Sequence, residues 1–181
     1  GQDAAGIVTS EGNVFHMHKG PGYVRDVFRT RNMRDLTGSA GIGHCRYPTA
    51  GSAYSDLESQ PFYVNAPFGI VLVHNGNLTN ALALKQELID VDRRHINTTS
   101  DTEVLINVVA HELASASRDQ PLTPDLVFAA VRAVHKRIKG RFLQRTAQGV
   151  EKVVAQAERT VWRALLLVIK AKLEAIESGI A

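Results

Sequence analysis

Apolar clusters separated by turn residues open the chain: Ala5 to Thr9 and Val14 to His18 read as two short strands joined by the Glu11-Gly12-Asn13 turn, a β-hairpin. A glycine-rich connection at Gly20-Pro21-Gly22 leads to a short helix around Arg29 to Leu36. A strand then runs through Ile42 and His44 to Tyr47. Phe68 to His74 is a continuous apolar run rich in β-branched residues, the pattern of a strand covered on both faces and central in its sheet.

Helical patterning follows. Thr79 or Asn80 is placed to cap a helix through Leu88, and Ser100-Asp101-Thr102-Glu103 has the spacing of a capping box. Val104, Leu105, Val108, Val109 and Leu113 form the apolar stripe of the helix that box opens. Thr123-Pro124-Asp125 begins another, with proline where a missing amide hydrogen costs nothing, and Gly140 is its expected stop. From about Arg141 the character changes, and Val150 to Ser178 reads as one long helix with too few regular heptads for a coiled coil.

Composition narrows the class without choosing a function. The 181 residues suit one domain with an appendage, and 44% apolar with 22% charged residues is ordinary for a soluble globular protein. The formal charge of +3 is spread along the chain. Its densest basic stretch, Lys136, Arg137, Lys139, Arg141 and Arg145, follows an amphipathic helix and reads as a solvated face; no aromatic platform suggests nucleic acid. The longest strongly apolar run, Ala164 to Ile169, is too short to span a bilayer, so no membrane partner is expected. Cys45 is the single cysteine, which excludes an intrachain disulfide or a thiolate metal site and fits a cytoplasmic setting.

Candidate chemistry lies in three segments at strand ends or helix starts: His44 to Gly51, His74 to Asn80 and His95 to Asp101. Arg46 offers a fork for a carboxylate and Thr49 a hydroxyl. Asn75-Gly76 offers a side-chain amide beside an unobstructed backbone amide, a combination able to stabilise an oxyanion, and Asp101 offers charge for an ammonium. Taken singly, each has a bland reading: a strand ending in a turn, a tight hairpin turn, and a helix cap. The residues by themselves support no more than an amino-acid-binding site in a mixed α and β domain.

Five segments in order, GQDAAG from Gly1, HCRYPTAG from His44, QPFYVN from Gln60, HNGNLTN from His74 and RHINTTSD from Arg94, resemble the glutaminase domain of the amidophosphoribosyltransferase family, a class II glutamine amidotransferase. The resemblance runs from Gly1 to about Gly140. It implies an α+β fold, the αββα sandwich of N-terminal-nucleophile hydrolases, incomplete here and carrying a long C-terminal helix. Residues 1–140 are then a fragment of the glutaminase domain and 141–181 a helical tail of unknown origin.

The resemblance also implies roles. Arg46 and Thr49 match the glutamine α-carboxylate end, Asp101 the α-amine, Asn75 and Gly76 the oxyanion hole, and Tyr47 a residue coupling the glutamine site to the phosphoribosyl site. Glutamine is the implied ligand. Phosphoribosyl pyrophosphate and Mg²⁺ belong to a phosphoribosyltransferase domain outside this sequence, and no cofactor or metal is expected of the chain itself. The family's nucleophile is an amino-terminal cysteine ahead of the position matching Gly1, so the expectation is a chain inactive alone, with Cys45 a buried spectator. The alternative is a non-catalytic amino-acid-binding or helical interaction module, and the apolar stripe of the tail raises the expectation of a homo-oligomer.

Overall fold

The computed structural model describes residues 3–46, 56–118 and 120–139. The hairpin forms as β1 (Ala4–Glu11) and β2 (Val14–Pro21), antiparallel from Ala4 opposite Pro21 to Glu11 opposite Val14. After two short helices, α1 (Val24–Val27) and α2 (Thr30–Asp35), the strand β3 (Ala40–Arg46) returns along the other side of β1, giving the order β2-β1-β3. Because strand side chains alternate, Val8, Met17, Ile42, His44 and Arg46 share one face, and Ile7, His18 and Cys45 the other. The short helix α1 lies on that second face, where His18 Nε2 is 3.0 Å from Val27 O.

A second, two-stranded sheet consists of β4 (Phe62–Val64) and β5 (Ile70–Leu72). Its alternating residues separate two cores. Val71 packs with Val8 and Ile42 between the sheets, with Phe15, Met17 and Val73 around them. Phe62, Ile70 and Leu72 face a helical layer made of α3 (Ala81–Asp90), α4 (Asp101–Ser117) and α5 (Pro124–Arg137). α4 packs against α3, α5, β4 and β5 together, which explains why it is buried well beyond the expected stripe, with Thr102, Ile106, Asn107 and Ala110 also inside. Two face-to-face sheets with this layer on one side form an α+β sandwich, as expected; the long helix and the 141–181 tail lie outside the described residues.

The local signals hold with instructive differences. Thr123 caps α5 by accepting from Leu126 N, and Pro124 occupies the first turn. α5 ends at Arg137, ahead of the expected stop at Gly140, which lies outside the described residues. Ser100 caps α4, but Glu103 does not complete a capping box: its carboxylate accepts from Asn97 N and Thr98 N, holding the preceding loop. Asn80 precedes α3 without a capping bond, because its amide binds Arg137 O and Lys139 N. Arg137 is not on a solvated face either; it is ion-paired with Asp92, Glu112 and Glu87, joining α5 to α4 and to the end of α3.

The run from Phe68 to His74 is covered on both faces, yet only Ile70–Leu72 is strand, and among the described residues it has one neighbour, β4. Two contacts shorten it. A turn ends where Gly69 N donates to Asn65 O, and beyond the strand both backbone polar groups of His74 bond to the Gln60 side chain.

Candidate functional site

The sandwich brings four separated segments to one end of its inner space: the end of β3, the Glu58-Ser59-Gln60 stretch before β4, the loop after β5, and the first turn of α4. Each is hydrogen-bonded to another. His44 Nε2 lies 2.9 Å from Asn75 Oδ1, connecting β3 to the Asn-Gly pair. Arg46 Nη2 donates to Glu58 Oε2 at 2.8 Å, and Glu58 Oε1 accepts from Thr99 Oγ1 at 2.5 Å. Arg46 is thereby connected to the residues immediately before Asp101. Asp101 Oδ2 in turn accepts from Leu78 N at 2.9 Å, tying the first turn of α4 back to the loop that carries Asn75 and Gly76.

Of the residues singled out above, Arg46, Asn75, Gly76 and Asp101 are joined in this network, whereas Tyr47 and Thr49 lie outside the described residues. Asn75 and Gly76 are exposed, and Arg46 and Asp101 are half-buried, so a solvent-facing amide pair sits beside partly screened charges of both signs. Gly76 is required by space: a Cβ there would meet His74 Nε2 at 2.6 Å and Cε1 at 3.1 Å. Cys45 is half-buried rather than buried, and it points to the outer face of its sheet, opposite to His44 and Arg46.

Electrostatics keeps the histidines of this network uncharged at neutral pH. Burial pushes His44 below the ordinary 6.5, outweighing its hydrogen bonds to Asn75 and to the His74 backbone. Burial also pushes His74 down, against the pull of Asp101; its Nδ1 is 3.9 Å from Asp101 Oδ2, too far for a hydrogen bond. A neutral His44 with its proton on Nε2 donates to Asn75 Oδ1, which leaves the Asn75 NH₂ as the donor that an incoming oxygen would meet. Among the described residues no cluster of three or more His, Cys, Asp or Glu has metal-holding geometry, and no helix is long and apolar enough to cross a membrane.

Sequence reasoning missed Glu58, Gln60 and Lys19. Lys19 Nζ donates to Ser59 O at 2.7 Å and Pro61 O at 2.9 Å and lies 4.9 Å from the Phe62 ring centroid. Burial lowers its pKa, opposed by the charge of Glu103. The available signal was Glu58 and Gln60 ahead of the apolar Pro61-Phe62, since polar residues flanking a strand are either solvated or partnered, and these two are buried.

Residues 30–119 match the family model described as a glutamine amidotransferase domain, and that part of the chain belongs to the family. The chain is 57% identical over 142 residues to the amidophosphoribosyltransferase of Pseudomonas aeruginosa and 54% identical over 143 residues to that of Escherichia coli; 78% of this chain and 28% of each relative are covered. It therefore spans little more than a quarter of the length of these relatives. A solved structure of glutamine phosphoribosylpyrophosphate amidotransferase from Bacillus subtilis, complexed with ADP and GMP, superposes with a TM-score of 0.60 at 32% identity, covering 77% of this chain and 28% of that one. Another, titled the allosteric regulatory enzyme of purine biosynthesis, gives 0.62 at 33% identity over the same shares. The fold is accordingly that of the N-terminal-nucleophile glutaminase domains.

Proposed function

We propose that this chain supplies the glutamine-binding part of an amidophosphoribosyltransferase, in which the glutamine amide is hydrolysed and its ammonia is passed to phosphoribosyl pyrophosphate. The supporting observation is the closed network in which Arg46, the Asn75-Gly76 pair and Asp101, remote in sequence, are joined through His44, Glu58, Thr99 and Leu78. In this reading Arg46 and Thr49 take the α-carboxylate and Asp101 the α-ammonium. Tyr47 communicates between the glutamine site and the phosphoribosyl site.

The side-chain carbonyl oxygen of glutamine is then met by Asn75 Nδ2 and the Gly76 N–H. Thiolate addition to that carbonyl places negative charge on the oxygen, where two donors of fixed orientation stabilise it without reorganising. The C–N bond breaks, ammonia leaves with a proton, and water releases glutamate from the thioester. The nucleophile is an amino-terminal cysteine with its own α-amine as base, as the family resemblance implies; Cys45, on the outer face, does not serve. Mg²⁺ is required only where phosphoribosyl pyrophosphate binds, in a separate domain.

Calorimetric titration of the 181-residue chain with glutamine tests this reading. Saturable binding that Arg46→Ala and Asp101→Ala each abolish supports it. Binding unaffected by both substitutions, or the absence of binding, overturns it.

A further inference from the structure

The Asn-Gly pair has no regular element under it, being exposed and beyond the end of β5. The backbone that leads into it is held by one side chain. Gln60 Oε1 accepts from His74 N at 2.7 Å, while Gln60 Nε2 donates to His74 O at 3.1 Å and to Thr102 Oγ1 at 3.0 Å. The first two bonds imitate a neighbouring strand, satisfying both backbone groups of the residue that leads directly into Asn75. The third reaches the first turn of α4, at the residue following Asp101.

Gln60 is itself clamped. Lys19 Nζ holds the carbonyls on either side of it, Ser59 O and Pro61 O. β1 approaches so closely that a Cβ at Gly6 would collide with Gln60 O. The Gln60 amide and Thr102 are both buried, where an unmade hydrogen bond is expensive and a made one holds its geometry.

We infer that Gln60 is a positioning residue that sets the separation between the amide-oxygen site at Asn75-Gly76 and the amine site at Asp101, and so selects side-chain length in the bound amino acid, glutamine over asparagine. The inference deepens the glutamine reading above and rests on it. The physical basis is that one rigid planar amide bonds simultaneously to the backbone leading into Asn75-Gly76 and to the helix turn that carries Asp101. The two substrates differ by one methylene, so the ratio of their affinities reports the separation directly.

The experiment uses the full 181-residue chain and its Gln60→Glu and Thr102→Val variants. Glutamine and asparagine titrations are combined with amide NMR spectra. Gln60→Glu keeps an acceptor for His74 N and removes both amide donors; glutamine affinity should fall about tenfold or more, and the glutamine-to-asparagine ratio should fall with it. Thr102→Val breaks the Gln60 bridge to α4 and, with it, the 3.4 Å contact from Thr102 Oγ1 to Asp101 Oδ1, leaves both Gln60–His74 bonds in place, and should lower the ratio more than it lowers total affinity. The Asn75 and Gly76 amide resonances should move in both variants. An unchanged ratio, or Asn75 and Gly76 resonances that stay in place, overturns the inference. If the unsubstituted chain binds neither amino acid, the glutamine reading fails by itself. The spectra still decide whether Gln60 joins the loop after β5 to the start of α4, because shifts confined to the substituted residue's chain neighbours would refute it.

Discussion

His44 Nε2 and Asn75 Oδ1 are 2.9 Å apart, and the bond between them orients the amide of the exposed Asn-Gly pair from the buried end of a strand. A neutral imidazole with its proton on Nε2 is suited to this task, because its single N–H then donates to Asn75 Oδ1. Burial keeps His44 neutral, and it does the same for His74 on the other side of the pair.

Those depressed values make stability depend on pH. A histidine with a folded pKa below 6.5 binds fewer protons in the native state than in the unfolded chain throughout the interval between the two values. The contribution of His44 and His74 should be constant well above 6.5 and should be lost progressively as pH falls from 6.5 to the folded values. Urea unfolding midpoints at a series of pH values from 8 down to 5 test this. His44→Gln, which retains a donor for Asn75, should flatten part of the slope.

Gly76→Ala probes the crowding beside the imidazole. The added methyl requires His74 to move, and the ring is buried, so the expected cost is about 1–3 kcal/mol of folding stability. Chemical denaturation measures it, and a neutral result would mean that the loop backbone yields instead.

Asp101→Asn separates the two duties assigned to this carboxylate. The amide oxygen of asparagine can still accept from Leu78 N, so the loop connection survives while the charge is removed. Glutamine affinity should fall by tenfold or more, equivalent to about 1.4 kcal/mol or more. 4-Carbamoylbutanoate, which is glutamine without its amine, should be nearly unaffected. Equal losses for both ligands would mean that Asp101 acts on the loop rather than on the ammonium.

Arg137→Met tests the helical layer. The guanidinium contacts Asp92, Glu112 and Glu87, and the Asp92 side chain is only 4% exposed. Removing the cation leaves the buried Asp92 carboxylate with His111 Nδ1, 3.2 Å away, as a remaining partner, and the expected loss is about 3 kcal/mol. Double substitution with Asp92→Asn should recover a substantial part of it.

The elements legible in the sequence were those with local causes. The hairpin follows from its turn residues, Thr123 and Pro124 mark the start of α5, and Ser100 caps α4 because its hydroxyl reaches an amide two residues away. Where a distant partner decides, the pattern was insufficient. The length of β5 is set by the Gln60 side chain, fourteen residues before His74, and the fate of Glu103 by the loop at Asn97 and Thr98. Arg46, Asn75, Gly76 and Asp101 were identifiable as residue types, and the family resemblance gave them roles. Nothing in the linear pattern could show that Glu58 would bond Arg46 Nη2, or that a half-buried Lys19 would hold the carbonyls on either side of Gln60, since both depend on how the two sheets meet.

The junction between Arg137–Lys139 and Thr79–Asn80 consists of four hydrogen bonds: Lys139 O accepts from Thr79 N and Oγ1, Asn80 Oδ1 accepts from Lys139 N, and Asn80 Nδ2 donates to Arg137 O. Thr79 is three residues beyond Gly76. A pull or a push exerted on the chain at Lys139 would therefore arrive at the amide pair through a coupling only a few residues long, making the far end of the helical layer a mechanical handle on the loop.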